Sequence, residues 1–342
     1  YPSAPEAGEA LYWLGYLRRT KQDYEGALGY YTRLRVEYPT HPLAPEATYQ
    51  AGEAAALNND AAAAITAFTN VYMLYPQTIF APYALMRGGE IYLGLQSVDT
   101  WLKDLAALPA PTPLHQQDAT IARAGVLMRA GDVTNARAVL AKVDLRMLPD
   151  EVHGYALAIG AGIANGLGRF GQAEQEATQA DALIGARPVG RDEALFQKAR
   201  AQQGQQKWDD AEATYARLLS EVTIANAQLN AQAFIERADC LYRLDRTDEV
   251  QEIVDEGIRL RPPVEQTARA VVLKGDAMLK RNEYQKAAQF YKRATILYGK
   301  IEEFAVPAYR GLIICYTKLG LTAEAQKARE DFARSYPHAQ QE

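Results

Sequence analysis

Apolar residues recur three and four positions apart in two successive runs between Gly8 and Pro39, GEALYWLGYLRRTKQDYEGALGYYTRLRVEYP. Leu11, Leu14, Leu17 and Arg18 mark a first helix, Gln22-Asp23 interrupts it, and Tyr24, Ala27, Leu28, Tyr31 and Leu34 mark a second of the same period that Pro39 ends. Each apolar stripe is too wide for its single partner to cover. The hairpin is therefore half of a core, and neighbours must supply the rest.

The pattern repeats along the chain. Units begin at Gly8, Pro45, Pro82, Gln117, Gly154, Asp192, Ala231, Ala268 and Val306, which gives about nine repeats of 35 to 39 residues. Small residues recur at the eighth position, as in Gly15, Gly52, Gly89 and Gly275, and at the twentieth, as in Ala27, Ala64, Ala173 and Ala287. Helices of a hairpin touch there, and a larger side chain would push them apart. Large residues recur at the twenty-fourth position in Tyr31, Phe68, Tyr215 and Tyr291 and fill the space between hairpins. The predicted fold is all-α, a stack of helical hairpins.

Two repeats depart from the rule. Trp101 stands where alanine is expected in the third, and LPAPTPLHQQ follows with three prolines that cannot continue a helix. This predicts an N-terminal segment over 1–107, a proline-rich linker or kink at 108–116, and a second segment over 117–342. In the fifth repeat, Val152 to Gly168 has no charged residue and carries five glycines, read as a tightly packed internal helix; softness from lost helix propensity competes with close packing as the reason. At about 17 residues the stretch is shorter than the roughly 20 a membrane span needs.

Composition narrows the function classes. An apolar content of 48%, a charged content of 23% and a net charge of -5 suit neither a disordered chain nor one that neutralises a phosphate backbone, so nucleic acid is not an expected partner. Cys240 and Cys315 fall two repeats apart and read as buried thiols, which leaves the redox compartment open. His41, His115, His153 and His338 lie apart in linkers or repeat edges, and no phosphate loop, nucleophile elbow or paired cysteine motif occurs. The chain reads as non-enzymatic, with no cofactor and no metal. Tyr1-Pro2 precedes Tyr38-Pro39 by the same 37 residues that separate it from Tyr75-Pro76. The first dipeptide thus reads as the tail of an earlier repeat, with further repeats or a membrane anchor expected upstream.

Gly15, Ala27, Tyr31 and Pro39, then Gly52, Ala64, Phe68 and Pro76, stand at signature positions that resemble the tetratricopeptide repeat. The resemblance covers essentially the whole chain and implies a right-handed superhelical solenoid that binds other proteins or peptides. The long Tyr-Pro-x-x-Pro-x-Ala connection is similar to that of bacterial cell-envelope members, such as the Tol-Pal system coordinator and the outer-membrane assembly lipoprotein BamD. It implies a scaffold in the periplasm or at the outer membrane. Two alternatives stay open: a cytoplasmic peptide-binding adaptor or regulator, and a repeat module of a larger enzyme or polysaccharide-export protein.

In this family the first helix of each repeat lines a concave groove. Carried over, the N-terminal groove is Glu9, Tyr12, Tyr16, Arg19, Glu46, Tyr49, Glu53, Tyr83, Met86 and Glu90. That surface is aromatic and acidic, suited to a basic or amine-bearing segment and unlike the Lys, Asn and Arg with which some members clamp acidic chaperone tails. The C-terminal groove includes Arg269, Val272, Asp276, Leu279, Arg310 and Thr317, and leans basic. These positions would equally serve as the solvated faces of amphipathic helices. A second candidate surface is the uncharged helix Ala61 to Tyr75, whose Ala62, Ala63, Thr66, Ala67, Asn70 and Met73 are expected to face outward.

Overall fold

The computed structural model describes residues 5–76, 78–95, 98–186, 189–222 and 226–340. Tyr1-Pro2 lies outside them. Eighteen α-helices occur among the described residues, and their boundaries follow the predicted hairpins. The pairs are α1 (Pro5–Thr20) with α2 (Tyr24–Glu37), α3 (Ala44–Leu57) with α4 (Ala61–Leu74), α5 (Phe80–Leu95) with α6 (Val98–Ala107), and α7 (Pro113–Arg129) with α8 (Val133–Leu140). They continue as α9 (Asp150–Gly166) with α10 (Phe170–Ile184) and α13 (Ala227–Arg243) with α14 (Thr247–Arg259); between these pairs the chain runs through α11 (Arg191–Gly204) and α12 (Trp208–Glu221). The last are α15 (Val264–Lys280) with α16 (Tyr284–Leu297), and α17 (Glu302–Lys318) with α18 (Thr322–Ser335).

One local rule shapes the turn inside each hairpin. The fifteenth residue of the repeat takes a positive φ at Gln22 (62°), Asn59 (61°), Gly131 (82°), Gly168 (71°), Gln206 (59°), Asp245 (65°), Asn282 (61°) and Gly320 (73°). This left-handed residue stops the first helix and lets the next amide bond back five residues, as Asp23 N–H does to the Arg18 carbonyl (2.9 Å) and Asp60 N–H to that of Ala55 (2.9 Å). Asp23, Asp60 and Asp132 then cap the second helix, their carboxylates accepting from the amides of Gly26, Ala63 and Asn135.

Packing follows the small-residue positions. A Cβ added at Gly15, Gly52 or Gly275 would lie 2.6, 2.4 and 2.7 Å from ring atoms of Tyr31, Phe68 and Tyr291 respectively. The eighth-position glycine therefore receives the twenty-fourth-position ring of its own hairpin. Gly311 of the following hairpin meets the same Tyr291 ring, at 2.4 Å from an added Cβ, so one aromatic is clamped by two repeats. In the third hairpin Gly89 is met by Val126 of the next hairpin, whose Cγ2 lies 2.3 Å from an added Cβ, and by Trp101, whose Cε2 lies at 3.0 Å; the tryptophan stands in for the ring from a different position. Cores are shared as the wide stripes require: Leu11, Tyr12, Ala27, Tyr31 and Leu34 of the first hairpin cluster with Ala44, Ala47 and Ala51 of the second.

The glycines of α9 serve close packing. A Cβ at Gly162 would lie 2.1 Å from the Met128 sulfur, and one at Gly154 would lie 2.8 Å from Ile184 Cγ1. Among the described residues, no helix is long and apolar enough to cross a membrane. Cys240 and Cys315 are buried thiols, neither of them in a disulfide.

The chain separates into two compact units, Tyr1–Gln205 and Gln206–Glu342. The predicted division at 108–116 falls inside the first unit. That connector is pinned down: the Tyr72 hydroxyl donates to the Pro109 carbonyl (3.1 Å), Thr112 caps α7, and His115 packs edge-on against Tyr72 with ring centroids 5.0 Å apart. Three prolines end a helix here without freeing the chain, because the exposed carbonyls and the next helix start find partners at once.

Two glycine substitutions should move stability in opposite directions. Gly52→Ala drives a methyl into the Phe68 ring and should lower unfolding free energy by about 1–3 kcal/mol. Gly29→Ala, within α2 where an added Cβ meets nothing within 4 Å, should raise it by about 0.5–1 kcal/mol. Urea unfolding of both variants checks the interlock.

Candidate partner-binding surfaces

In the first unit the first helices of successive hairpins converge, and most of the predicted groove is consumed in doing so. Tyr12 is buried and donates to Glu46 Oε1 (2.6 Å). Tyr49 is fully buried and donates to Glu53 Oε1 (2.7 Å), and Glu53 is itself buried. Tyr83 is buried and donates to Asp192 Oδ2 of α11 (2.6 Å); Met86 is buried, and its sulfur accepts from the Tyr155 hydroxyl (3.0 Å). The sequence places these side chains along an open groove; the structure makes Tyr49, Glu53, Tyr83 and Met86 internal, because α9 and α11 close over α5. Glu9 is exposed, while Tyr16 and Arg19 are half-buried, with the Arg19 guanidinium 6.0 Å from the Tyr16 ring.

A ladder of ions runs through this interior. Arg87 Nε donates to Glu53 Oε1 (2.8 Å) and its Nη1 to Glu90 Oε2 (2.9 Å). Arg129 Nε continues to Glu90 Oε1 (3.1 Å) and its Nη2 to Glu193 Oε2 (2.5 Å). Gln197 Nε2 then donates to Glu193 Oε1 (2.7 Å), and Asn165 Nδ2 to the Gln197 carbonyl (2.8 Å). Five helices, α3, α5, α7, α9 and α11, are thereby joined by one polar chain. Beside it, burial raises the Asp192 carboxyl to about 7, although the Tyr83 hydroxyl and two backbone amides, Gly190 and Glu193, favour its charged form.

A second buried pair lies on α7. His115 and Asp118 are 3% and 1% exposed, and His115 Nε2 and Asp118 Oδ2 have no hydrogen-bond partner. Burial alone pushes the Asp118 carboxyl up to about 9. The sequence reading missed Arg87, Asp118, Arg129, Asp192 and Glu193. Their signal was present as charges on otherwise apolar first-helix faces, Arg87 one turn from Glu90, but which of them meet depends on how closely the helices converge.

In the second unit the expected basic groove is largely neutralised. Arg269 pairs with Glu236 (3.1 Å) and lies 3.8 Å from Asp239. Lys280 pairs with Asp245 (2.8 Å), Asp276 accepts from the Tyr291 hydroxyl (2.6 Å), and Arg310 donates to the Ala339 carbonyl (3.0 Å). Burial raises the Asp239 and Asp276 carboxyls above their ordinary range. Val272 is buried, Leu279 half-buried, and Thr317 exposed. On α4, Ala62 and Thr66 are exposed and Ala63, Asn70 and Met73 half-buried, but Ala67 is buried, packed into the core that α1 to α3 build. That corrects its expected outward position.

Two measurements test the buried charges. Arg87→Met leaves the buried Glu53 without its cation and Glu90 with Arg129 alone, and should cost roughly 3–5 kcal/mol in urea unfolding, whereas Arg33→Met, at an exposed pair with Glu37, should leave the midpoint unchanged. Asp118 holds in the folded state a proton that the unfolded chain releases in the ordinary carboxylate range. Its burial penalty is therefore absent at low pH and grows as pH rises from about 4 toward about 9. Asp118→Asn should stabilise the protein at pH 8 by on the order of a few kcal/mol, with the gain shrinking toward pH 4; equal gains at both pH values would refute the assignment.

Comparison with known proteins agrees with this architecture. Tetratricopeptide repeat models match residues 9–41 and 196–249. No curated protein sequence matches the chain significantly. A Rap protein complexed with competence and sporulation factor is similar in structure, with a TM-score of 0.50 at 14% identity, over 86% of this chain and 92% of that one. At that identity the likeness concerns the fold. A tetratricopeptide repeat protein from Parabacteroides merdae aligns over 89% of this chain and 99% of its own at 16% identity, with a TM-score of 0.37. The two matched segments and the hairpin geometry around them support the tetratricopeptide-repeat family for this chain.

Proposed function

We propose that the protein is a non-enzymatic scaffold that holds a protein partner within a bacterial cell-envelope assembly, in the periplasm or at the outer membrane. The observation that carries the scaffold reading is the stack of hairpins itself. Successive repeats use their polar groups on one another, in the Glu53 to Glu193 ladder and in the Arg269–Glu236 pair, which leaves extended solvent-facing surfaces. The envelope reading draws its support from the Tyr-Pro-x-x-Pro-x-Ala connections, whose tyrosines tie one repeat to the last: the Tyr75 hydroxyl donates to the Pro39 carbonyl at 3.2 Å.

The partner surface we favour is the accessible part of the predicted groove on α1. Glu9, Tyr16 and Arg19 lie there beside Trp13, which is 50% exposed and donates to Glu9 (3.3 Å). An accessible tryptophan and tyrosine flanked by both signs of charge suit an interface anchor.

Cross-linking and affinity capture from the native host, followed by mass spectrometry, should recover cell-envelope proteins. The double variant Trp13→Ala, Tyr16→Ala should lose them while its melting temperature is retained. Recovery of cytoplasmic proteins alone would defeat the envelope reading and favour a cytoplasmic adaptor.

A further inference from the structure

The helix α8 breaks the pattern of second helices. It has eight residues, against 10 to 15 in α6 and α10, and so leaves one flank of α9 uncovered. A cleft of about 200 Å³ opens there between α8, α9 and α10. Its walls are apolar, from Leu140, Ile163 and Leu167, and Gly160 makes the room; a Cβ at Gly160 would lie 2.8 Å from Glu176 Oε2 and 3.6 Å from Leu140 Cδ2.

The charges around this cleft are sorted by depth. Arg137 and Arg169 are exposed and have no ion pair among the described residues. Arg169 also begins α10, whose first turn receives no side-chain cap, so unbonded amides and a positive helix end lie beside the guanidinium. Glu176 is recessed: Oε1 accepts from Gln172 (2.7 Å), while Oε2 is buried without a donor. An anion is favoured at the mouth and a hydrogen-bond donor of positive charge at the floor.

Spacing selects among ligands with both groups. Arg169 and Glu176 lie seven residues apart on one helix, about 10 Å along its axis. A compact α-amino acid, with ammonium and carboxylate on one carbon, spans only a small part of that length. An ammonium at the end of a four-carbon stem spans more of it, with its methylenes lying along Leu140, Ile163 and Leu167. We propose that this cleft binds the C-terminal lysine of a partner polypeptide, its side-chain ammonium at Glu176 and its terminal carboxylate at Arg137, Arg169 and the start of α10. The inference concerns the cleft alone and holds in either compartment, so it stands or falls separately from the envelope reading.

The test uses the full chain and a fluorescent decapeptide that ends in lysine and whose other nine residues carry no charge, followed by anisotropy. The free-acid peptide should bind, and C-terminal amidation should weaken it roughly tenfold or more, as should Glu176→Gln and Arg169→Gln. Thermal melts of the two variants should match that of the parent. Absence of binding, or binding indifferent to amidation and to both substitutions, overturns the proposal. So does binding of 6-aminohexanoate, read by spectral shifts at Gly160, without binding of the peptide, since the occupant would then be a free zwitterion.

Discussion

The contact on which the array depends is a glycine facing a ring. A helix that presents no Cβ at its eighth residue lets the second helix bring an aromatic face against its backbone, as Gly15 does for Tyr31 and Gly275 for Tyr291. The ring then reaches the first helix of the next hairpin, where Gly311 receives the far side of Tyr291. Intra-hairpin and inter-hairpin packing are thus carried by one side chain, and neither can be lost alone. Where the chain gives up the ring, it compensates: Trp101 substitutes from position twenty, and the fifth hairpin packs Ala161, Ala164, Ala173 and Ala177 directly against one another.

Close helix approach has an electrostatic corollary in the first unit. First helices that converge this far exclude water from the residues between them, so every polar group there must be matched inside the protein. Tyrosine hydroxyls donate to carboxylates at Tyr12, Tyr49 and Tyr83, and arginines alternate with glutamates from Glu53 to Glu193. Such pairs add little net stability over apolar packing, but a misplaced helix would leave a charge unmatched. We read the ladder as fixing the register of five helices that alanine and glycine surfaces alone would let slide.

The hairpins, their turns and the small-residue positions were legible in the sequence because each depends on residues within one or two repeats. Gly52 and Phe68 lie 16 residues apart, and periodicity brings both into view. Tyr83 and Asp192 are 109 residues apart, and no spacing argument connects them; their meeting is set by the convergence of α5 and α11. Convergence of the first helices also buries Tyr49 and Met86, which repeat position alone assigns to an open groove. The prolines at 109, 111 and 113 are a local signal for a helix end, while the Tyr72 hydroxyl that bonds the connector comes from the second hairpin, 37 residues upstream. The left-handed residue at position fifteen was readable as Gln, Asn, Asp or Gly in every described turn and was seen only as an interruption.

In a repeat array, regularity and recognition compete for the same side chains. A residue that obeys the periodic rule is by that fact engaged with a neighbour, as Arg269 is with Glu236 and Lys280 with Asp245. Groups left to meet a partner are those that break the rule. The short α8 uncovers Gly160, with Arg137 in no ion pair among the described residues; α4 carries no charge on its outer side; α1 exposes Trp13 at half its surface. Departures from the repeat are therefore where specificity can be built without loosening the stack. A change that restores the rule at such a site, by lengthening α8 or adding a side chain at Gly160, should cost the fold little while closing the surface that the irregularity opens.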